Sequence, residues 1–287
     1  MLNEPSKGIE IMDMNEAHLI CFSPTHTSKQ VGEAIVRGTG LINRVTTDLT
    51  LRAAVADIAR DALTVIAVPV YGGRVAPLAM ERLRGIHSTG SPAVLVVVYG
   101  NRAYEKALME LDAFVSERGF KVIAGATFVG EHSYSTELHP IASGRPDVSD
   151  LQYAEEFGAK LRAKIDAAVD MEHLYAVDVN RILRPRQPFW PLFRFLRQVV
   201  KLKKSGTPLP RTPEVDAELC CHCGVCAAHC PAGAILKGDE CHTFVDKCIK
   251  CCACVKSCPT KARTYDTPFA TLLADCFKRQ KEPRIII

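Results

Sequence analysis

The first 170 residues alternate between runs rich in apolar or β-branched residues and stretches with the periodicity of an amphipathic helix. The runs predict five strands, at 18–23, 43–50, 63–71, 93–99 and 121–129. The periodic stretches predict helices at 75–84, 104–118 and 151–169, the last opened by a capping box of Ser149 and Gln152. Largely apolar strands separated by helices are typical of a parallel sheet covered on both faces. The pattern therefore predicts an α/β fold with a doubly wound five-stranded parallel sheet in the order 2-1-3-4-5.

Strand 1 is followed directly by a turn rich in hydroxyl groups, 24–29, and then by a helical stretch. Hydroxyls, backbone N–H groups and the positive end of a helix dipole would meet there, and this combination suits a phosphate group. Serine and threonine are equally favoured at the start of a helix that binds no ligand. The residues alone leave both interpretations open.

Strands 3 and 4 end in loops that combine glycine with tyrosine, at 71–73 and at 99–104. Glycine lets the backbone approach a flat ligand closely, and tyrosine offers a ring to stack on it. A glycine after a strand is more often only a turn. In the predicted strand order, however, strands 1, 3 and 4 are consecutive, so their three ends lie side by side, and this coincidence indicates a flavin site.

The second half of the chain contains a duplicated cysteine motif with the spacing Cys-x2-Cys-x2-Cys-x3-Cys-Pro, starting at Cys220 and at Cys248. Three thiolates at three-residue steps wrap one corner of a 4Fe-4S cube, whereas the fourth cysteine, next to a proline turn, reaches the other cube. The spacing therefore predicts two clusters that share ligands crosswise. One would be held by Cys220, Cys223, Cys226 and Cys258, and the other by Cys248, Cys251, Cys254 and Cys230.

Structural zinc and disulfides are the alternatives for these cysteines. Zinc would explain pairs of cysteines, but neither the third cysteine of each run nor the repeated Cys-Pro. Disulfides need an oxidising compartment. We expect no export signal at residues 1–16, and no apolar run of the sequence reaches membrane-spanning length. We expect a cytoplasmic protein, in which thirteen cysteines indicate metal or redox chemistry.

The net charge of +4 is concentrated in one segment, since residues 181–213 hold nine basic residues and no acidic one. Phe193, Leu196 and Val200 fall at helical spacing there. We expect this aromatic stripe to pack between two domains, in preference to contact of 181–204 with a membrane. Nucleic acid is not an expected partner, because the basic residues belong to a connector and not to a folded face with stacking aromatics.

These motifs resemble the flavodoxin-ferredoxin fusion family of anaerobic prokaryotes. The resemblance is carried by CFSPTHTSKQVGEAI, PVYGGRVAP, VVVYGNRAYEKALMEL and FVGEHSYS, followed by the duplicated cysteine motif. It implies a flavodoxin-like FMN domain at 1–168, a connector at 169–213, a small α+β ferredoxin-like domain at 214–268 and a tail at 269–287. By motif, the FMN phosphate would be held by Ser23, Thr25, Thr27 and Ser28, and the ring would be flanked by Tyr71, Gly72, Gly73, Tyr99, Gly100, Asn101 and Tyr104. His26 lies in the same phosphate turn and is counted with the cofactor-binding residues, although it departs from the motif.

Four residues are candidates for proton transfer. His26 stands where the phosphate loop of that family usually has glycine, so it would lie near the phosphate or the ring unless it faces solvent. The long polar loop 130–146 would roof a pocket beside the flavin, with Glu131, His132 and Tyr134 as acid-base groups. Alternatively, this loop is solvated and binds nothing.

Iron-sulfur clusters exchange single electrons, and FMN exchanges one or two. We therefore expect a low-potential electron carrier to or from a redox partner protein in anaerobic metabolism, with an FMN-dependent reductase of a small-molecule acceptor as the alternative. An enclosed cavity lined by Glu131 or His132 would favour the reductase, and an open flavin edge ringed by charge would favour the carrier. The long connector would also allow a homodimer in which the clusters of one chain face the flavin of the other.

Overall fold

The computed structural model describes residues 14–206 and 208–287. The strands are β1 (Glu16–Cys21), β2 (Asn43–Asp48), β3 (Ala56–Ile58), β4 (Ala62–Tyr71), β5 (Arg74–Val75), β6 (Ile86–Ser88), β7 (Pro92–Tyr99), β8 (Lys121–Val129), β9 (Glu214–Val215), β10 (Ile235–Leu236), β11 (Asp239–Thr243), β12 (Arg263–Thr264) and β13 (Arg284–Ile286). The helices are α1 (Thr27–Gly38), α2 (Pro77–Arg82), α3 (Ala107–Ser116), α4 (Val148–Asp166), α5 (Phe189–Lys204), α6 (Val225–Ala228), α7 (Ala253–Lys256) and α8 (Pro268–Cys276). The first thirteen residues, on which the expected absence of an export signal depends, lie outside the described residues.

Five parallel strands form the centre of the N-terminal domain in the order β2-β1-β4-β7-β8. This order confirms the predicted doubly wound, flavodoxin-like sheet. Strands β7 and β8 are buried along almost their whole length, because α1 and α4 cover one face of the sheet and α2 and α3 cover the other. The carboxyl ends of the central strands consequently meet at one edge.

The ends of the five predicted strands are displaced by about two residues or fewer, the usual uncertainty of element boundaries. The capping box predicted for the last helix was wrong. Helix α4 begins at Val148, and the box is formed by Asp147 and Asp150, each of which accepts a hydrogen bond from the backbone N–H of the other. Aspartate caps a helix as well as serine does, so two adjacent frames fit the same sequence.

The C-terminal domain repeats one small unit. Its short antiparallel pairs, β9 with β12 and β10 with β11, flank the one-turn helices α6 and α7, one in each cysteine run. Polar contacts fix it to the N-terminal domain, and the two shortest involve Arg82 and Lys256. Arg82 donates to the carbonyl oxygen of Pro231 at 2.5 Å, and Lys256 Nζ donates to Glu131 Oε1 at 2.6 Å.

The residues after the C-terminal domain return to the N-terminal one. Helix α8 packs against α5, with the rings of Phe195 and Phe277 5.2 Å apart. Strand β13 then pairs antiparallel with β8 and extends the sheet. Residues 269–287, expected to be a tail, therefore pack against or pair with the flavodoxin-like domain.

The connector helix α5 packs with a different face from the predicted one. Phe193, Leu196 and Val200 are exposed, whereas Phe195 and Val199 are turned towards α8. The expectation that the aromatic stripe packs between the domains was therefore wrong, because this helix is apolar on two faces. Within residues 14–206 and 208–287, no helix is long and apolar enough to cross a membrane.

Candidate functional site

A cavity of about 670 Å³ lies at the carboxyl ends of β1, β4, β7 and β8. This is the edge at which doubly wound sheets bind their ligands. Of the residues predicted to bind the cofactor, the following line it: Ser23, Thr25, Thr27, Ser28, Tyr71, Gly72, Gly73, Tyr99 and Gly100. The three loops chosen from the sequence thus meet around one space.

The start of α1 forms the polar end of this cavity. Ser23 Oγ accepts a hydrogen bond from the backbone N–H of Lys29 at 3.1 Å, which fixes the turn against the helix. Ser28 Oγ is fully buried and has no hydrogen-bond partner among the described residues. A buried hydroxyl without a partner costs free energy, so this atom indicates a ligand that accepts or donates a hydrogen bond here.

His26 does not take part in the cavity wall. Its φ of 66° places it in the left-handed region, the conformation for which the related phosphate loops use glycine. Its side chain is exposed, and its backbone N–H donates to the carbonyl oxygen of Ser23 at 3.1 Å. The structure therefore separates His26 from the cavity, which agrees with the solvent-facing alternative and not with a role at the phosphate or the ring.

Two residues predicted to flank the flavin ring face elsewhere. The Asn101 amide donates to the carbonyl oxygens of Phe277 and Arg279, at 2.7 and 3.1 Å, and the Tyr104 hydroxyl donates to the carbonyl oxygen of Ile182 at 3.3 Å. Neither residue lines the cavity. The prediction for them was wrong because the sequence did not show that the residues after α8 dock on this loop.

The loop after β8 lines the cavity through Glu131, His132 and Tyr134. Glu131 links the two domains, because its carboxylate accepts a hydrogen bond from Lys256 of the C-terminal domain. It also accepts one from the backbone N–H of Gly144 in its own loop. Partial burial raises the pKa of Glu131, but these hydrogen bonds outweigh burial and the pKa is lowered. Glu131 is therefore ionised near neutral pH and is not a proton donor there.

His132 is held as a neutral imidazole. Burial, together with the positive charges of Lys256 and Arg102, lowers its pKa to about 4. Its Nδ1 accepts the backbone N–H of Tyr134 at 3.0 Å, so the ring proton is on Nε2. A Cβ on Gly100 would lie 2.2 Å from the His132 ring, so glycine is required where the ring packs against this loop. His132 can donate a hydrogen bond into the site, but it does not supply a proton as an imidazolium at neutral pH.

Protein stability should depend on pH through His132. An unfolded histidine takes up a proton below about pH 6.5, whereas the folded His132 does so only near pH 4, so its contribution is intact above 6.5 and is lost as the pH falls towards 4. We expect up to about 3 kcal/mol less unfolding free energy from this residue over that interval. Urea unfolding at several pH values should show a shallower dependence in His132→Gln. The Tyr134→Phe variant, which changes the same loop without removing an imidazole, should keep the original slope; an equal change in both variants would contradict the assignment.

The eight motif cysteines lie in two groups of four. One cavity is lined by Cys220, Cys223, Cys226 and Cys258, and a second by Cys230, Cys248, Cys251 and Cys254. The fourth cysteine of each run thus joins the other run, as the spacing predicts. All thirteen cysteines belong to the described residues, and none of them forms a disulfide.

The loop that carries the second group of cysteines also forms a wall of the large cavity. Ile249 and Lys250, between the predicted ligands Cys248 and Cys251, line that cavity. Tyr71 lies close enough to the thiols of Cys251 and Cys252 that, besides its own burial, their charge raises the pKa of its hydroxyl. One layer of residues therefore separates the second cysteine group from the cavity.

Sequence reasoning missed a second wall, formed by α5 and α8. Phe195, Val199 and Lys203 of α5 and Phe269 and Leu273 of α8 line the cavity opposite the strand ends. The four-residue spacing within each pair of apolar residues was visible in the sequence as helical periodicity. Their location was not, because it depends on contacts between segments far apart in the chain.

Comparison with known proteins identifies the C-terminal domain. Residues 213–236 and 243–264 match the 4Fe-4S binding domain family. Among solved structures, an archaeal flavodoxin is similar at 13% identity, covering 52% of this chain and 98% of its own with a TM-score of 0.35. A flavodoxin of Streptococcus pneumoniae strain TIGR4 is similar at 15% identity, with 52% and 98% covered and a TM-score of 0.36. The search of curated proteins found no match.

The chain is therefore an α/β protein in which a flavodoxin-like sheet precedes a 4Fe-4S ferredoxin domain. The strand order defines the first part and the family match the second. This is the domain arrangement of the flavodoxin-ferredoxin fusion family that the sequence motifs resemble.

Proposed function

We propose that the protein is an iron-sulfur flavoprotein that passes electrons between two 4Fe-4S clusters and FMN, as a low-potential carrier for a redox partner. The observation that carries this proposal is the shared wall, since the loop between Cys248 and Cys251 lines the cavity at the strand ends. When bound, the clusters supply single electrons, and FMN accepts or gives one or two. Because one chain brings both sites together, this function does not need a homodimer.

The chain's own residues fit FMN at both ends of the cavity. The start of α1 offers the buried Ser28 hydroxyl and the N–H groups of a helix N-terminus to a phosphate. Gly72 and Gly73, with φ of 61° and 86°, form a turn without side chains at the other end. Tyr71 stands beside these loops and offers its ring to a flat ligand, whereas Tyr99 lines the cavity but is only 2% exposed.

The lining of the cavity favours a second candidate function, reduction of a small-molecule acceptor. The cavity is closed on one side by α5 and α8 and is lined by Glu131 and His132. Arg102, Lys203 and Lys250 also line it, and their charges would favour an anionic acceptor. In this function His132 would orient the acceptor through Nε2–H, since its imidazole is neutral.

Purification under anaerobic conditions, with analysis of iron, sulfide and flavin, tests the proposal. We expect about eight iron atoms and one FMN per chain, and bleaching of both chromophores by a low-potential dye. A screen of protein and small-molecule acceptors then separates the carrier from the reductase. Protein that contains zinc in place of iron and releases no flavin on boiling would refute the proposal.

The Ser28→Ala substitution should weaken FMN binding by roughly 10-fold to 100-fold, because a hydrogen bond to a charged phosphate contributes about 1.5–3 kcal/mol. Titration of flavin-depleted protein, followed by flavin fluorescence, measures the effect. Thr127→Val is the matched control, because Thr127 Oγ1 is also buried without a partner among the described residues but lies outside the cavity. Equal loss of affinity in both variants would show that Ser28 acts through packing and not through the ligand.

A further inference from the structure

Helix α5 has two apolar faces, and only one of them is covered. Phe195 and Val199 pack towards α8 and the cavity. The side chains at 189, 193, 196 and 200 follow one another at steps of three or four residues on a different face, so they form a continuous stripe. All four belong to the exposed residues, although they are Phe, Phe, Leu and Val.

The exposed stripe is large and aromatic at its N-terminal end. Phe189 is 71% exposed, and the neighbouring Trp190 is 74% exposed. Their rings contact each other and that of Phe193, with centroid separations of 5.3 to 6.4 Å. Isolated exposed apolar residues are ordinary, but a contiguous aromatic patch of this kind marks a contact surface.

Basic side chains flank the stripe along the helix. Arg197 and Lys204 lie on one side of it and Lys203 on the other, and all three are exposed. The nine basic residues of 181–213 are exposed, and no acidic residue lies in that segment. One acidic group reaches it from α8, where Asp275 pairs with Arg194 at 3.3 Å.

We propose that this face of α5 docks on the surface of an anionic lipid bilayer. An apolar stripe with aromatic residues at one end and long basic side chains beside it is the chemistry of a helix that lies in the membrane interface. The stripe would enter the boundary of the acyl chains, and the lysine and arginine side chains would reach the phosphates of the headgroups. Trp190 and Phe193 also border a groove of about 400 Å³ with Arg194 and Arg197, where an acyl chain and its headgroup would find apolar and basic contacts together.

The positive charge of residues 181–213 argues against two other partners for this face, a second copy of the chain and a different protein. A second copy of this chain on the same face would bring two sets of basic residues together, which is repulsive. A protein partner normally meets a polar rim, whereas the charged residues beside this stripe are cationic apart from Asp275 of α8. The same helix lines the cavity with its covered face, so docking would place the bilayer directly behind the cavity wall.

Sedimentation of the intact, cofactor-loaded protein with vesicles tests the proposal. We expect it to sediment with vesicles of phosphatidylcholine and phosphatidylglycerol, much less with phosphatidylcholine alone, and less at high salt. The charge reversal Arg197→Glu, Lys201→Glu and Lys204→Glu should weaken binding by at least roughly 100-fold. The replacement of Trp190 and Phe193 by serine should also weaken it, while iron and flavin contents stay unchanged.

Matched variants keep the test specific. Reversal of the exposed Arg52, Lys106 and Lys160 to glutamate changes the net charge equally but lies outside α5, and should retain binding. Trp190 is the sole tryptophan, so quenching of its fluorescence by brominated lipids reports contact of this helix directly. Absence of binding to anionic vesicles, equal binding to neutral ones, or equal loss in the control reversal would overturn the proposal.

Discussion

The Cys230→Ser protein should lose about half of its iron, and the loss should fall on the cluster of the second cysteine run. Cys230 belongs to the first run in sequence, but it lies in one cavity with Cys248, Cys251 and Cys254. Its Sγ also accepts the backbone N–H of Ala234 at 3.2 Å, a contact that holds the sulfur in place. Because this group borders the large cavity, reduction of the flavin through the iron-sulfur domain should be abolished.

Iron analysis and electron paramagnetic resonance of the dithionite-reduced protein measure this effect. Cys221→Ser is the control, because Cys221 is an exposed cysteine inside the first run and is not one of the eight motif cysteines. The Cys221→Ser protein should keep the paramagnetic resonance signals of both clusters and its full iron content. If Cys230→Ser instead removed the cluster of Cys220, Cys223 and Cys226, the crosswise grouping would be refuted.

Replacement of Arg145 by alanine should lower the free energy of unfolding by about 3–5 kcal/mol, because it leaves a buried carboxylate without its partner. The Arg145 and Asp150 side chains are 6% and 1% exposed, and two guanidinium nitrogens donate to the two carboxylate oxygens. Arg145 also donates to Gln280 Oε1 at 2.7 Å. The pair therefore joins the loop after β8, the start of α4 and the segment that follows α8.

Chemical denaturation of the Arg145→Ala protein measures this cost. Arg162→Ala is the control, because Arg162 forms an ion pair with Asp166 at 2.7 Å on the exposed side of α4, the helix that contains Asp150. Such surface pairs contribute about 0.5 kcal/mol or less. If both variants lost a similar free energy of unfolding, the cost of the Arg145 substitution would not come from the burial of its ion pair.

The central sheet could be predicted from the sequence because both of its faces are covered. Strands β4, β7 and β8 must be apolar along almost their whole length, and that pattern is visible without any partner. The cysteine grouping could be predicted for a different reason, since the spacing within each run fixes which thiols reach the same cube. Both signals are local.

The parts that were missed depend on contacts between distant segments. Strand β13 is a three-residue strand whose pairing with β8 leaves no local signature. Asn101 belongs to a loop whose glycine and tyrosine residues predicted a flavin site, yet its side-chain amide donates to carbonyl oxygens of the segment after α8. The exposed face of α5 could not be distinguished from the covered one, because both are apolar and the sequence does not say which neighbour packs on which face.

The return of the chain from α8 to β13 means that the iron-sulfur module is tethered at both of its ends. A domain attached by a single flexible linker would move relative to the rest of the chain, and its distance from the cavity at the strand ends would vary. Two attachment points restrict that motion and hold the cysteine loop at residues 248–251 against the cavity wall. In the proposed function, the rate of electron transfer would then depend on this fixed geometry and not on random encounters between the two domains.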